Sequence, residues 1–288
     1  MAPTTQRAVV VAENGTVVLK DSIPVPKPGP NEVLIKVVAA AQNPTDWKTA
    51  QKAARVGAVS GCDFAGIVEE IGSAVPEGVR TIGERVAGFV RGGISSKGAF
   101  SEYLTASAQY GIVRIPDNWT FEEGAQLGVA SLTALQTLYE SHHLPTPLEP
   151  TSTPIPVLVS GGATAVGQYV IQIAKLSGLY IVATASKKNF DFVNPREGVT
   201  TIFSGAPVLL GEDLEYPTKR ILTPEDRKRG LEFVDLLSKI LATGKVKPNP
   251  LLILPKGLAS VPEGFQYMLD GKVSAQKLVY RIADTPNL

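Results

Sequence analysis

A glycine-rich turn set between two short apolar runs constrains this chain more than any other feature. In the stretch PVLVSGGATAVGQYVIQIAKLSGLYIVATASKKN, Val157–Val159 leads into Gly161, Gly162 and Gly167. Apolar residues then recur at helical spacing (Val166, Val170, Ile173, Ala174, Leu176), and a second apolar run, Tyr180–Ala183, ends at Ser186-Lys187-Lys188-Asn189. Strand, glycine turn, helix and strand form the first half of a dinucleotide-binding fold, in which the turn and the helix N-terminus bring N–H groups up to a pyrophosphate. The end of the second strand reads the ribose. An acid there would accept from the 2′-OH of NAD, whereas Ser186, Lys187 and Lys188 suit the 2′-phosphate of NADP. The spacing Gly161-Gly162-x-x-x-x-Gly167 is not G-x-G-x-x-G, so the strand–turn–helix–strand context carries the reading, not the turn alone. Solvated surface lysines are the plain alternative at 187 and 188.

Length and composition set the frame. A chain of 288 residues, 44% hydrophobic and 19% charged, can build two modest globular cores. The net charge of +1 is spread without a basic block, which argues against nucleic acid or an anionic membrane surface. The lone cysteine, Cys62, excludes an internal disulfide framework and fits a reducing compartment. No stretch approaches the roughly 20 apolar residues of a membrane span, and MAPTTQRAVVVAENG lacks a signal-peptide core, so the cytosol is the expected address.

Before the glycine turn the signals are β. Ala8–Val11, Thr16–Leu19, Glu32–Ala39, Gly66–Ile71, Arg85–Phe89 and Phe100–Thr105 alternate with proline and glycine clusters, a pattern of short strands in a compact, distorted barrel. Helices are expected at Thr120–Leu127, with Thr120 and Glu123 as a capping box, and at Val129–Tyr139. Leu144–Pro156 is proline-dense and reads as a linker. Beyond the turn come a strand at Val199–Phe203 and a helix at Thr223–Ala242 opened by Pro224; Leu251–Leu254 and Lys277–Ile282 are final strands expected to return to the first domain. The division is therefore 1–150, completed by 245–288, and 151–244.

NPTDWK, GCDFAGIVEEIGS, GERVAGF, GAFSEYL, GGATAVG and a closing KLVYRI follow one another in an order that resembles the medium-chain dehydrogenase/reductases. Within them, NPTDWK, SKKNFD and VSAQKLV resemble the trans-acting enoyl reductases that serve fungal highly reducing polyketide synthases. The resemblance implies an α/β fold: a β-rich GroES-like barrel beside a Rossmann-like parallel sheet. It implies NADPH-dependent reduction of an α,β-unsaturated thioester carried by a partner synthase, in a monomer. Hydride would go to the β-carbon, with hydrogen bonding to stabilise the developing enolate before protonation.

Residue roles carry over from the same resemblance. Thr45, Asp46, Trp47 and Lys48 match a segment lying over the nicotinamide, and Lys48 is its only cation, the candidate to polarise the reacting carbonyl. Thr133, within Ala130-Ser131-Leu132-Thr133-Ala134, matches a threonine facing nicotinamide and substrate; a helix-buried hydroxyl bonded to its own backbone is the alternative. Ala163, Thr164, Ala165 and Val166 match the pyrophosphate turn, Ser186–Asn189 the 2′-phosphate contact, and Val273 and Ser274 a late loop touching the nucleotide. Ser204, Gly205, Ala206, Pro207 and Val208 match a segment lining the acyl pocket, with a mobile loop as the alternative. Zinc relatives carry a cysteine where Asn43-Pro44-Thr45-Asp46 stands and a histidine where Gly61-Cys62-Asp63 stands. No Cys/His set has zinc spacing, so no metal is expected and Cys62 reads as a small buried apolar residue.

One departure counts against full competence. A doubly wound domain has about six strands, and each βαβ unit takes roughly 30 residues. Here Phe190-Asp191-Phe192-Val193 runs straight into Asn194-Pro195, so about 60–80 residues are lacking and the parallel sheet keeps about three strands. A truncated Rossmann-like sheet leaves two readings: an NADPH-dependent enoyl reductase, or a non-redox descendant that binds small molecules, assists cyclisation or accompanies the synthase.

Overall fold

The computed structural model describes residues 2–52, 55–189 and 221–287. Seven strands in the first 114 residues carry the β signal: β1 (Thr5–Val11), β2 (Val17–Pro24), β3 (Glu32–Ala41), β4 (Asp63–Ile71), β5 (Arg85–Phe89), β6 (Tyr103–Ser107) and β7 (Ile112–Arg114). β1 and β2 form a separate antiparallel hairpin, and β3 organises the main sheet. Its sequence, EVLIKVVAAA, is apolar on both faces, and the run Ala39-Ala40-Ala41 is fully buried, which lets neighbouring layers approach closely. β4 covers one edge of β3 along its length. The other edge is shared: β6 pairs with Glu32–Lys36, and β11 (Lys277–Arg281) pairs with Ala39–Ala41. β10 (Leu251–Leu254) runs parallel to β11 and ends the sheet. The chain's last strands are thus built into its first sheet.

Helices fill the gaps. α1 (Pro44–Lys52) leaves β3; α2 (Phe121–Gly124) is capped by Thr120 and Glu123 in a capping box; α3 (Val129–Leu135) passes into a π-helical turn at Gln136–Ser141. The helix expected over Thr120–Leu127 stops at Gly124 because the backbone must then dive onto the sheet. A Cβ on Gly128 would lie 2.3 Å from Asp63 Oδ1 and 2.6 Å from the Gly88 carbonyl, so only glycine allows this approach. Phe100 does not open β6 as expected. Its carbonyl accepts from Val9 N (2.8 Å) and so laces β1 to the main sheet. α6 (Val261–Leu269), for which no element is expected from the sequence, carries Pro262 in its first turn, where no N–H is needed.

The glycine segment folds as β8 (Pro156–Val159), α4 (Ala165–Leu176) and β9 (Tyr180–Ala183), with β8 and β9 parallel. Among the described residues this sheet has two strands, not three; Val199–Phe203 lies outside them. Val157, Val159, Ile181 and Ala183 pack into a core formed with α3, α4 and α5 (Pro224–Ala242), which reaches Ala39, Ala65 and Val279 of the main sheet. On the alternate face of β9, Tyr180 is 54% exposed. A buried amide joins the two parts: Gln126 Oε1 accepts from Tyr169 OH (3.0 Å) on α4 and from Asn249 N (2.7 Å), just before β10.

Candidate functional site

The turn after β8 is held shut by its own residues. Gly161 has φ +76°, and Thr164 caps α4: its Oγ1 accepts from Gly167 N (3.0 Å) and donates to the Gly161 carbonyl (2.8 Å). A Cβ on Gly167 would lie 2.3 Å from that carbonyl, so the third glycine is set by close packing of helix against turn. The start of this 12-residue helix faces a cleft of ≈ 460 Å³, within the range of about 300–1,000 Å³ usual for small-molecule sites. The opposite walls come from three other segments: Ala185, Ser186, Lys188 and Asn189 after β9; Gln42, Asn43 and Pro44 between β3 and α1; and Val273–Leu278 leading into β11. Asn189 Nδ2 donates to Ser186 Oγ (3.2 Å) and Ser274 Oγ (3.1 Å), tying the end of the parallel sheet to the late loop.

Beneath the Asn43 wall lies a buried charge cluster. Lys277 Nζ donates to Asn43 Oδ1 (2.5 Å) and Asp63 Oδ2 (2.9 Å), and both ionic partners are at most 3% exposed. Asp63 Oδ1 accepts from Val129 N (2.8 Å) at the start of α3. Next to it Asp46 is also buried. Burial pushes its carboxyl up to about 7, although Asn43 N (2.6 Å) and the Cys62 thiol both donate to it. Burial first, then the Asp46 charge, pushes the Cys62 thiol up in turn. Cys62 is buried as expected, but it bonds to a carboxyl group and is not a purely apolar filler. Gln42 completes the wall, accepting from Tyr280 OH and donating to the Gly264 carbonyl (2.9 Å).

Of the residues singled out in the sequence, Ala163, Thr164, Ala165, Ser186, Lys188, Asn189, Val273 and Ser274 come together in this cleft, although they lie up to 111 positions apart (274 less 163). Val166 and Lys187 do not line it, nor do Thr45, Asp46, Trp47 and Lys48; the wall is made by the three residues preceding them. Lys48 is exposed, its Nζ 5.5 Å from the centre of the Trp47 ring. Ala130, Ser131, Leu132 and Ala134 are buried, and Ser131 donates its hydroxyl to the Leu127 carbonyl (2.6 Å); Thr133 is half-buried. None of these five lines the cleft, and Ser204–Val208 lies outside the described residues. Asn43, Asp63 and Lys277 were not apparent from the sequence. The available signal was a charged residue opening an otherwise apolar strand, in DFAGIV and in KLVY.

Residues 29–117 match the alcohol dehydrogenase GroES-like domain. A trans-enoyl reductase of Aspergillus niger is 39% identical over 363 aligned residues, covering 97% of this chain and 98% of its own length. Another, from Pyricularia oryzae, is 30% identical over 349 residues, covering 96% and 98%. Against 288 residues here, 363 aligned positions leave at least 75 without a counterpart in this chain. The quinone oxidoreductase of Coxiella burnetii superposes with a TM-score of 0.70 at 25% identity, over 96% of this chain and 99% of that one. The CurK enoyl reductase gives 0.66 at 20% identity over 96% and 99%, a likeness of fold. With its glycine turn, its GroES-like β domain and near full-length relatives, the chain belongs to the trans-enoyl reductases, oxidoreductases of the medium-chain dehydrogenase/reductase family.

Proposed function

We propose that the chain is an NADPH-dependent, trans-acting enoyl reductase that reduces an α,β-unsaturated polyketide thioester presented by a partner polyketide synthase, and that it does so without a metal. In this reading residues 1–150, completed by 245–288, hold the acyl group, and 151–244 hold the nucleotide. One observation carries it: the capped N-terminus of α4, the Ser186–Asn189 segment and the late loop share the walls of a single cleft. These residues fit a phosphorylated dinucleotide. The first turn of α4 offers backbone N–H groups and the positive end of the helix to a pyrophosphate. Ser186 and Lys188, exposed at the rim, supply a hydroxyl and a cation for a 2′-phosphate.

NADPH, when bound, would supply the hydride. The chain's own residues position, shield and balance charge. Thr164 fixes the turn, Asn189 and Ser274 link the two flanking walls, and Lys277 pairs with Asp63 beneath the Asn43 end. Lys48 and Thr133 remain the proposed contacts to the reacting acyl group. Support for a metal-free site comes from the position where zinc relatives carry a cysteine: here Asn43 stands there and is bonded to the Lys277 ammonium. The partner synthase and the cytosolic address belong to the same proposal; among the described residues no helix is long and apolar enough to cross a membrane.

The test is a titration followed by nicotinamide fluorescence, comparing NADPH with NADH. Tighter binding of NADPH is expected, and equal dissociation constants would overturn the cofactor choice. The second reading is a non-redox descendant, for which the 75 or more aligned positions without a counterpart in this chain speak. Consumption of NADPH with a crotonyl-thioester mimic decides between them.

A further inference from the structure

Four buried side-chain atoms among the described residues have no hydrogen-bond partner, and three of them lie in one short turn: Asn43 Nδ2, Asp46 Oδ1 and Trp47 Nε1. A buried polar group left unpaired costs about 1–3 kcal/mol. The Asp46 carboxyl already accepts from Asn43 N and the Cys62 thiol, so the donors that await a partner from outside the chain are Asn43 Nδ2 and Trp47 Nε1. Of the three residues, only Asn43 also lines the cleft. Its side chain has no freedom to flip. An ammonium group can only donate, so the carboxamide oxygen must face Lys277 Nζ, leaving Nδ2 as the donor on the other arm. Asp63 holds Lys277, and its second oxygen holds Val129 N, so the orientation is fixed from β4 through β11 to α3.

The two ends of the cleft differ in charge. Around the α4 N-terminus and Lys188 the groups suit phosphate. At the Asn43 end the buried Lys277 ammonium is already paired with Asp63, so the group left without a partner is a neutral amide donor, buried at the cleft wall. Such a group matches a neutral acceptor.

We propose that Asn43 is a ligand-contacting residue of the cleft, its Nδ2, fixed by the Lys277–Asp63 pair, donating to a carbonyl oxygen of the bound molecule. That oxygen belongs either to the nicotinamide carboxamide or to the acyl thioester; in the thioester case the same bond strengthens as negative charge develops on the oxygen. The inference rests on the reading that the cleft takes NADPH.

The test compares the full chain with Asn43→Ala for binding of NADPH, binding of adenosine 2′,5′-bisphosphate (which lacks the nicotinamide), and turnover of a crotonyl-thioester mimic. If the nicotinamide carboxamide is the acceptor, the NADPH dissociation constant rises about five- to tenfold while the bisphosphate binds unchanged. If the thioester is the acceptor, both nucleotides bind unchanged and kcat/KM falls by a similar factor. Parallel weakening of both nucleotides marks Asn43 as structural and overturns the proposal, as does no change in any of the three. Asn43→Asp, measured at alkaline pH, guards against a misfolded alanine variant, since it keeps an oxygen for Lys277 but has no donor; it must reproduce the alanine effect, and unaltered behaviour refutes the donor role. If the unaltered chain binds neither nucleotide, the NADPH reading fails and Asn43 falls with it. If it binds both and only the variants behave as the unaltered chain does, the Asn43 proposal fails alone.

Discussion

The two sheets of this protein answer the same physical demand to different degrees. In the main sheet β3 is buried on both faces apart from Lys36 and is paired on both edges, and the ionic pair beneath it is hydrogen-bonded to Asn43 and to the start of α3. In the parallel pair β8–β9 one face meets α4 and the common core; on the alternate face Val182 is buried while Tyr180, at the start of β9, is 54% exposed. Parallel strands are stable when buried on both sides. If the cleft takes a nucleotide as proposed, its phosphates need only a turn and a helix cap, because those groups are local. Support for its far end depends on how much sheet surrounds it.

The largest effect is expected where the main sheet is most committed. Lys277→Met leaves Asp63 charged and unpaired in a buried site, and stability should fall by about 3–5 kcal/mol in denaturant unfolding. Lys188→Ala, at an exposed position of the weaker region, should change stability by no more than about 0.5 kcal/mol. Similar losses for the two variants would erase the contrast.

Asp46 gives the next test of the same sheet. Its folded-state carboxyl titrates at about 7 against an ordinary 3.8, so the folded protein binds that proton more tightly than the unfolded chain. The resulting stability is complete below about pH 4 and is lost as pH rises through about 7. Asp46→Asn should flatten that decline, a gain at alkaline pH on the order of a few kcal/mol. Unfolding curves for both proteins at about pH 5 and about pH 8 supply the check, and parallel pH profiles would count against it.

On the weaker side, the chain as it stands should reduce enoyl thioesters slowly. Inserting the corresponding segment of a relative between Val193 and Asn194 should raise turnover roughly a hundredfold, since a misplacement of about 1 Å at the reacting atoms costs that much. Rapid turnover without the insertion would show that the absent segment is not needed. The smallest effect concerns the rim: Lys187→Ala combined with Lys188→Ala should weaken NADPH about tenfold and leave NADH unchanged, as loss of a charge-assisted contact at an exposed site would do. Equal weakening of both nucleotides would place the lysines elsewhere on the ligand.

How far these features could be read beforehand followed from the range of the interactions involved. The glycine turn, the Thr120–Glu123 box and the Thr223-Pro224 helix start are settled within a few residues, and each stands in the structure where its pattern lies. The family resemblance supplied Val273 and Ser274, which no local rule would have placed beside Ser186. The Asn43–Lys277–Asp63 cluster is not readable in the sequence because its members take their meaning from one another, across separations of 214 and 234 residues. Helix α1 turned the NPTDWK segment so that its first residues, not its lysine, face the cleft; periodicity does not fix that angle.

The sharing of β3's edge sets a timetable for synthesis. At about 5–20 residues per second, Asp63 leaves the ribosome roughly 10–40 seconds before Lys277, the cation that neutralises it. Throughout that interval the nascent chain has an uncompensated carboxylate in its future core and half of a strand edge open to any other strand. Factors that shield emerging polypeptides should therefore matter more to the yield of this protein than its final stability suggests. A fusion at the carboxyl end that slows release, or a pause codon late in the message, should cost soluble product even though the mature fold is unchanged.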